Sequence, residues 1–216
     1  MYSAAACMLG LDPVLMRFLD GLFGKEAVLY TSLTFEYGTE QKAHRDAPYF
    51  ETVPFGQYFG VWTALEDVSL DAGALEVIEG GHRIPGIDHK AEARRLGKAP
   101  QDARIEDYDA LLDRVFDQMQ VACDAAGLPR RRIVVRKGEK IIWHPWLPPG
   151  GSQVLNPALT RRSIAGHYIP RAVPVFGVDV FFGFKAPDPT LAYGYGQVGR
   201  RAYVVHGAAR FADSYI

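Results

Sequence analysis

The sequence predicts a mainly β domain of the α+β class, an antiparallel sandwich or barrel with helices on one side. Three observations carry this. Segments rich in aromatic and β-branched residues recur in two batches, within 27–80 and 131–184, with Gly, Pro or Asp between segments. One long helical pattern separates the batches. Strands and helices do not alternate, which argues against a doubly wound parallel sheet.

The elements follow in chain order. Asp12 and Pro13 form an N-cap and first-turn pair, Leu15, Phe18, Leu19, Leu22 and Phe23 fall at helical spacing, and Gly24 stops the pattern. AVLYTSLTFEYG (27–38), QYFGVWTALEDV (57–68) and ALEVIEG (74–80) read as strands. The chain then turns polar over 84–104. Tyr108, Leu111, Leu112, Val115, Phe116, Met119 and Ala122 next repeat at i, i+3, i+4 until Gly127 and Pro129 end them. This predicts a helical insertion around 105–127, inside a polar insertion spanning 84–130. RRIVVRKGEKIIWHPW (131–146), RSIAGHYIP (162–170) and VDVFFGF (178–184) return to strand character, and the last thirty residues are Gly- and Tyr-rich without a period.

Composition narrows the class. The 216 residues suit one domain, 1–216, and a net charge of -1 with 48% hydrophobic and 23% charged residues is that of an ordinary soluble globular protein. No basic field favours nucleic acid or an anionic membrane. The opening MYSAAACMLGLDP lacks the charged start and apolar core of a signal peptide, and no apolar run reaches about 18 residues, so a cytoplasmic protein is expected. Cys7 and Cys123 lie far apart without metal-type spacing and read as buried free thiols.

Chemistry concentrates in two places. In Gln41-Lys42-Ala43-His44-Arg45-Asp46, residues i and i+2 of an extended chain share a face, so His44 and Asp46 can aim an imidazole nitrogen and a carboxylate oxygen at one point. That pair suits two corners of the facial triad of non-haem iron oxygenases, although a surface His beside a solvated Asp has the same spelling. The second place is IIWHPWLPPGGS (141–152) followed by Thr160-Arg161-Arg162-Ser163, where an arginine at a strand start can pair with a small dicarboxylate or simply be solvated.

HRDAPYF, YFGVWTALEDVSLDAGALEVIEGGHR, KGEKIIWHPWLPPGGS and TRRSIAGHY, in this order, resemble the phytanoyl-CoA dioxygenase family of Fe(II)/2-oxoglutarate oxygenases, in its bacterial biosynthetic branch, over roughly residues 10–185. The resemblance implies a double-stranded β-helix (a cupin-like jelly roll) with iron at its open end. It implies His44 and Asp46 as metal ligands, Trp62 as a pocket tryptophan, Arg161 as the anchor of the far carboxylate of 2-oxoglutarate, and Ala74–His82 as the substrate side. Members of the branch place a second histidine ligand in a His-Gly-Gly-Ser turn, and this chain has Pro149-Gly150-Gly151-Ser152 there. Proline has no donor atom for iron. His144, five residues earlier, is the remaining candidate for that corner.

Three functions fit these residues. One is a hydroxylase using Fe(II) and 2-oxoglutarate on a small polar metabolite, saccharide or natural-product intermediate, with an active or weakened metal site. Another is an inactive pseudoenzyme that binds a small molecule or glycan, or serves a partner subunit. The third is a jelly roll with another metal or none. Tyr49, Phe50, Phe55, Tyr58, Trp143 and Trp146 can stack on a substrate or fill the core. His82 is expected to serve a turn, His167 to be a satisfied core or pocket histidine, and His89 and His206 to be solvated. The first predicted helix lies nearer the start of the chain than it does in the family, so an uncovered flank is expected, met by a homo-oligomer or by a partner covering that side.

Overall fold

The computed structural model describes residues 4–99 and 102–206. Two helices open the chain, α1 (Ala4–Gly10) and α2 (Pro13–Phe23). Asp12 Oδ1 accepts the N–H groups of Val14 and Leu15 at 3.1 and 2.9 Å, Pro13 supplies a preset φ, and Gly24 closes α2 at φ +64°. Leu15, Met16 and Leu19 are buried, whereas Phe18 and Leu22 point outward with Val14 as an exposed apolar strip.

The strands are β1 (Ala27–Phe35), β2 (Glu51–Thr52), β3 (Phe59–Ala64), β4 (Leu75–Ile78), β5 (Arg130–Ile133), β6 (Lys140–Trp143), β7 (Pro149–Gly151), β8 (Ser163–Pro170), β9 (Val175–Phe176), β10 (Gly194–Val198) and β11 (Arg201–Val205). Six of them form one sheet in the order β10-β11-β1-β8-β3-β6, β5-β4-β7 form a second, and β2 pairs with β9. Most pairings are antiparallel, and β11 joins β1 in parallel. The two larger sheets face each other as the halves of a double-stranded β-helix. Trp62, Ala64, Trp143 and Ala165 of the first share one core with Leu75 and Val77 of the second.

Alternation along the strands separates two faces. On β3 and β6, Gly60, Trp62, Ile141 and Trp143 face the interior, while Val61 and Ile142 face outward onto α2 through Leu15, Met16 and Leu19. On β8, Ser163, Ala165 and His167 face in, and Tyr168 faces out to donate its hydroxyl to Gly10 O at 2.7 Å.

The insertion carries α3 (His89–Arg95) and α4 (Ile105–Ala125). The buried side of α4, Leu111, Leu112, Val115 and Phe116, packs on Ala93 and on Phe181 and Phe182, and its C-terminal part lays Met119 and Cys123 on Ala43 and Ile78. Both cysteines are free and buried. Among the described residues no helix is long and apolar enough to cross a membrane.

Three expectations need correction. VDVFFGF is not a strand: Val178–Phe181 form the short helix α5, because burying Phe181 and Phe182 against α4 overrides their β propensity. The 131–146 segment is two strands, broken by the turn at Gly138 (φ +88°). The Gly- and Tyr-rich stretch contains the β10–β11 hairpin, joined by Gly199 and Arg200; its part beyond 206 lies outside the described residues.

Candidate metal centre

Residues 41–44 run beside β7, with Gly151 N–H donating to Gln41 O at 2.8 Å and His44 N–H donating to Pro149 O at 3.0 Å. This fixes the chain that carries His44, Arg45 and Asp46, all buried. His44 Nε2 lies 3.2 Å from Asp46 Oδ1. Bonds of about 2.1 Å at right angles to one ion place two donors about 3.0 Å apart, so the pair already has the spacing of neighbouring corners of an octahedron. His44 Nδ1–H donates to Lys42 O at 2.8 Å, so in the neutral ring the lone pair is on Nε2, the atom that would meet a metal, and Nε2 donates to Asp46 only when the ring is protonated.

The other oxygen of Asp46 is occupied. Oδ2 accepts Trp143 Nε1–H at 2.7 Å and the Tyr58 hydroxyl at 3.2 Å. Trp143 can lie in this position because its partner across the β3–β6 ladder is Gly60, where any Cβ would overlap Cε2 and Cζ2 of the indole. Burial opposes ionisation of Asp46, but the hydrogen bond and charge of His44, with His167 and Trp143 behind them, outweigh it and hold the carboxyl below its usual value. Burial likewise opposes protonation of His44, yet Asp46 and the Lys42 carbonyl raise its pKa. Tyr58 is pushed well above the usual phenol value by burial and by Asp46.

Pro149 is buried, opposite Val77 in the β4–β7 ladder, and Val77 belongs to the interior core. Residues directly opposite in a ladder share a face, so position 149 faces inward next to His44. Gly150 faces the other way, where a Cβ would press on the backbone of Gln41 and Ala43.

His144 is not brought to the pair. It follows inward-facing Trp143 and therefore turns to the outer face, where it is exposed, its ring lies 5.9 Å edge-on from Phe59, and its Nδ1 accepts Trp146 N–H at 3.3 Å. Among the described residues no group of three His, Cys, Asp or Glu side chains is placed to hold one metal ion. Among the described residues, the donors that meet at one point thus match the carboxylate and one imidazole of a facial triad, with no second imidazole joining them.

Arg161 reaches the interior from the start of β8. It is 3% exposed, its Nη1–H donates to Gly73 O at 2.8 Å, and its guanidinium carbon stands 5.7 Å from the centre of the Trp62 ring. Its Nε, Trp62 Nε1, Ser152 Oγ and Ser163 Oγ are buried without hydrogen-bond partners among the described residues. A cation–π contact gives about 0.5–2 kcal/mol and one carbonyl bond about 1.5–3, against several kcal/mol for taking a guanidinium out of water. Arginine cannot shed its proton to escape that cost. A carboxylate, such as one end of a dicarboxylate, matches the charge and the unused Nε of Arg161.

His167 also belongs to this interior. Its ring packs against Phe50 and Tyr58, at 4.4 and 5.6 Å, which stack on each other at 4.9 Å, and burial lowers its pKa to about 4. Two histidines expected in solvent are instead packed: His89 stacks on Phe181 at 4.0 Å, and His206 Nε2–H donates to Tyr30 O at 2.6 Å.

The pattern that defines the family described as Phytanoyl-CoA dioxygenase (PhyH) matches residues 11–163. Peroxisomal phytanoyl-CoA dioxygenase of Rattus norvegicus is 24% identical over 172 residues, 80% of this chain and 44% of that protein. Phytanoyl-CoA dioxygenase domain-containing protein 1 of Mus musculus is 36% identical over 67 residues, 31% of this chain and 21% of that protein. The matched part is therefore less than half the length of either relative. Among solved structures, the non-haem alpha-ketoglutarate-dependent epimerase SnoN from nogalamycin biosynthesis superposes with a TM-score of 0.61 at 18% identity, covering 94% of this chain and 73% of that one. SnoN has also been solved in complex with Fe3+, alpha-ketoglutarate and nogalamycin RO.

Proposed function

The chain belongs to the phytanoyl-CoA dioxygenase family, and from that premise we propose that it is an Fe(II)/2-oxoglutarate-dependent oxygenase acting on a small polar metabolite, saccharide or natural-product intermediate. The observation that carries the reading is Arg161, a buried cation beside Trp62 with an unused Nε and, among the described residues, no anion to meet it. His44 Nε2 and Asp46 Oδ1 would hold the metal. Bound iron and 2-oxoglutarate would together supply the oxidising power toward the substrate.

The chain's own contribution is placement. Lys42 O keeps the His44 proton on Nδ1, Trp143 and Tyr58 pin Asp46 Oδ2 so that Oδ1 stays turned to the metal side, and Arg161 neutralises the distal carboxylate of the co-substrate. Trp62, Trp143, Ala165 and Val77 keep bulk water from this interior, which strengthens each of these interactions. With Pro149 where the branch has histidine, the metal is held more weakly than in the full triad.

Anaerobic addition of Fe(II) and 2-oxoglutarate to the protein tests this through the charge-transfer absorption of the chelate. The band is expected in the parent and absent in His44→Ala; no band at millimolar iron would overturn the reading. A second reading, a metal-free binding protein built on the same barrel, is favoured by one observation: three donors already satisfy the Asp46 carboxylate without a metal. Self-association through the Val14, Phe18 and Leu22 strip and a cytoplasmic location belong to the same proposal, and sedimentation of a Phe18→Glu variant tests the former.

A further inference from the structure

His44 and Asp46 are steadied by different parts of the chain. Asp46 Oδ2 accepts Trp143 of β6 and Tyr58, the residue before β3, so the barrel orients it. The segment that carries His44 lies against β7 and also against α4, the long helix of the insertion. Each of its carbonyls has a donor: Gln41 O accepts Gly151 N–H at 2.8 Å, Lys42 O accepts the His44 ring at 2.8 Å, and Ala43 O accepts Gln120 Nε2–H of α4 at 3.2 Å. Ala43 is buried, with Met119 and Cys123 of the same helix packed on it, so removing the Gln120 amide leaves a buried carbonyl short of a donor. One turn earlier on α4, Phe116 meets the His44 ring edge-on at 5.9 Å, and Tyr49 meets both rings, at 6.3 and 6.2 Å. Lys42 and Asp117 add an ion pair at 2.5 Å, but both side chains are exposed and it contributes little.

We infer that Gln120 and Phe116 of the insertion are positioning residues for His44, so that docking of α4 on residues 42–44 is linked to metal binding, a step that rests on the reading of His44 and Asp46 as the metal donors. Gln120 uses its amide on Ala43 O and on Arg130, and Phe116 has no donor atom, so any effect they have on a metal passes through His44. Gln120 fixes the backbone beside the ligand, and Phe116 fixes the ring. A metal site needs its donors held within about 0.5 Å of their working geometry. With only two donor side chains meeting at one point, no third is present to correct a displaced imidazole. The ion would then bridge one donor held by the barrel and one held in part by the insertion. Such coupling is reciprocal: whatever docked α4 adds to metal affinity, the metal adds to the docking of α4.

Anaerobic Fe(II) titration and amide hydrogen exchange of the full chain test the linkage. Gln120→Met keeps the length of the side chain and removes the donor, and Phe116→Leu keeps an apolar filling and removes the ring edge. Each should lower Fe(II) affinity about three- to tenfold, less than the about 10- to 100-fold of a group bonded directly to a ligand. Arg114→Gln lies on the same helix but meets Glu92 of α3, and it should leave the affinity within about twofold. In the parent, saturating Fe(II) should slow exchange of the α4 amides by at least about threefold, and in Gln120→Met that slowing should shrink. A purely structural helix would exchange alike with and without iron, and this comparison in the parent needs no variant to fold. Unchanged Fe(II) affinity in both Gln120→Met and Phe116→Leu, an equal loss in Arg114→Gln, or α4 exchange indifferent to iron would each overturn the linkage alone. No Fe(II) binding by the parent would overturn the oxygenase reading with it.

Discussion

Trp143 donates its indole hydrogen to Asp46 Oδ2 at 2.7 Å, linking residues 97 positions apart across the bare backbone of Gly60. Asp46 keeps one oxygen turned toward His44 because the other is held in this way. Trp143→Phe should therefore lower Fe(II) affinity about 10- to 100-fold in anaerobic titration, the usual effect of removing a hydrogen bond behind a ligand. Gly60→Ala should give a loss of similar size with Trp143 intact, since the added methyl displaces the indole. Unchanged affinity in both would show that Asp46 is oriented by other means.

Arg161 yields a prediction in which binding and stability separate. Arg161→Met should remove 2-oxoglutarate binding by roughly two orders of magnitude, the loss of one or two charge-assisted hydrogen bonds. Without co-substrate its unfolding free energy in urea should stay within about 1 kcal/mol of the parent or rise, because an unpaired buried charge is replaced by an apolar chain of similar length. A drop of about 3–5 kcal/mol would instead identify Arg161 as one half of a structural pair.

Much of this arrangement is written locally, and the rest depends on register. Asp12-Pro13 and Gly24 specify both ends of α2, and the alternation around His44 and Asp46 places their side chains together before any fold is known. Tyr58 and Trp143 stand out as aromatics, but their hydrogen bonds to one carboxylate arise from strand pairing and have no local signature. The turn to the outer face by His144 follows from the parity of Trp143, which cannot be assigned until Gly60 is known to lie opposite. One further signal was readable: Gly199-Arg200 between Gly194–Val198 and Arg201–Val205 is a two-residue hairpin loop beginning with glycine, here at φ +60°.

His167 makes acid sensitivity specific. Its folded pKa of about 4 lies below the ordinary 6.5, so the unfolded chain binds the extra proton first. Its contribution to stability is complete above pH 6.5 and is lost as pH falls from there to about 4, by roughly 3 kcal/mol for a shift of this size. His167→Phe keeps a ring against Phe50 and Tyr58 and removes the titration. Its stability should match the parent near pH 7.5 and exceed it by most of that amount at pH 4, measured by urea unfolding at each pH. Parallel stability curves would show that His167 does not titrate in this window. The carboxylate of Asp46, with its depressed pKa, adds a loss only below its ordinary value of 3.8, which keeps the two effects apart.

Position 149 decides how complete the metal site can become. Its carbonyl accepts the His44 N–H, an interaction that any residue preserves, and its place opposite Val77 turns its side chain into the interior beside His44. Proline occupies that direction with a ring that has no donor atom. Pro149→His should thus add an imidazole to a pair already spaced for one ion, raising Fe(II) affinity at least about tenfold and strengthening the chelate absorption at a given iron concentration. His144→Ala should have little effect on the same titration, because that side chain lies on the outer face. The reverse pattern, no gain from Pro149→His and a loss from His144→Ala, would mean that the loop through Pro145 and Pro148 rearranges on metal binding to bring His144 inward.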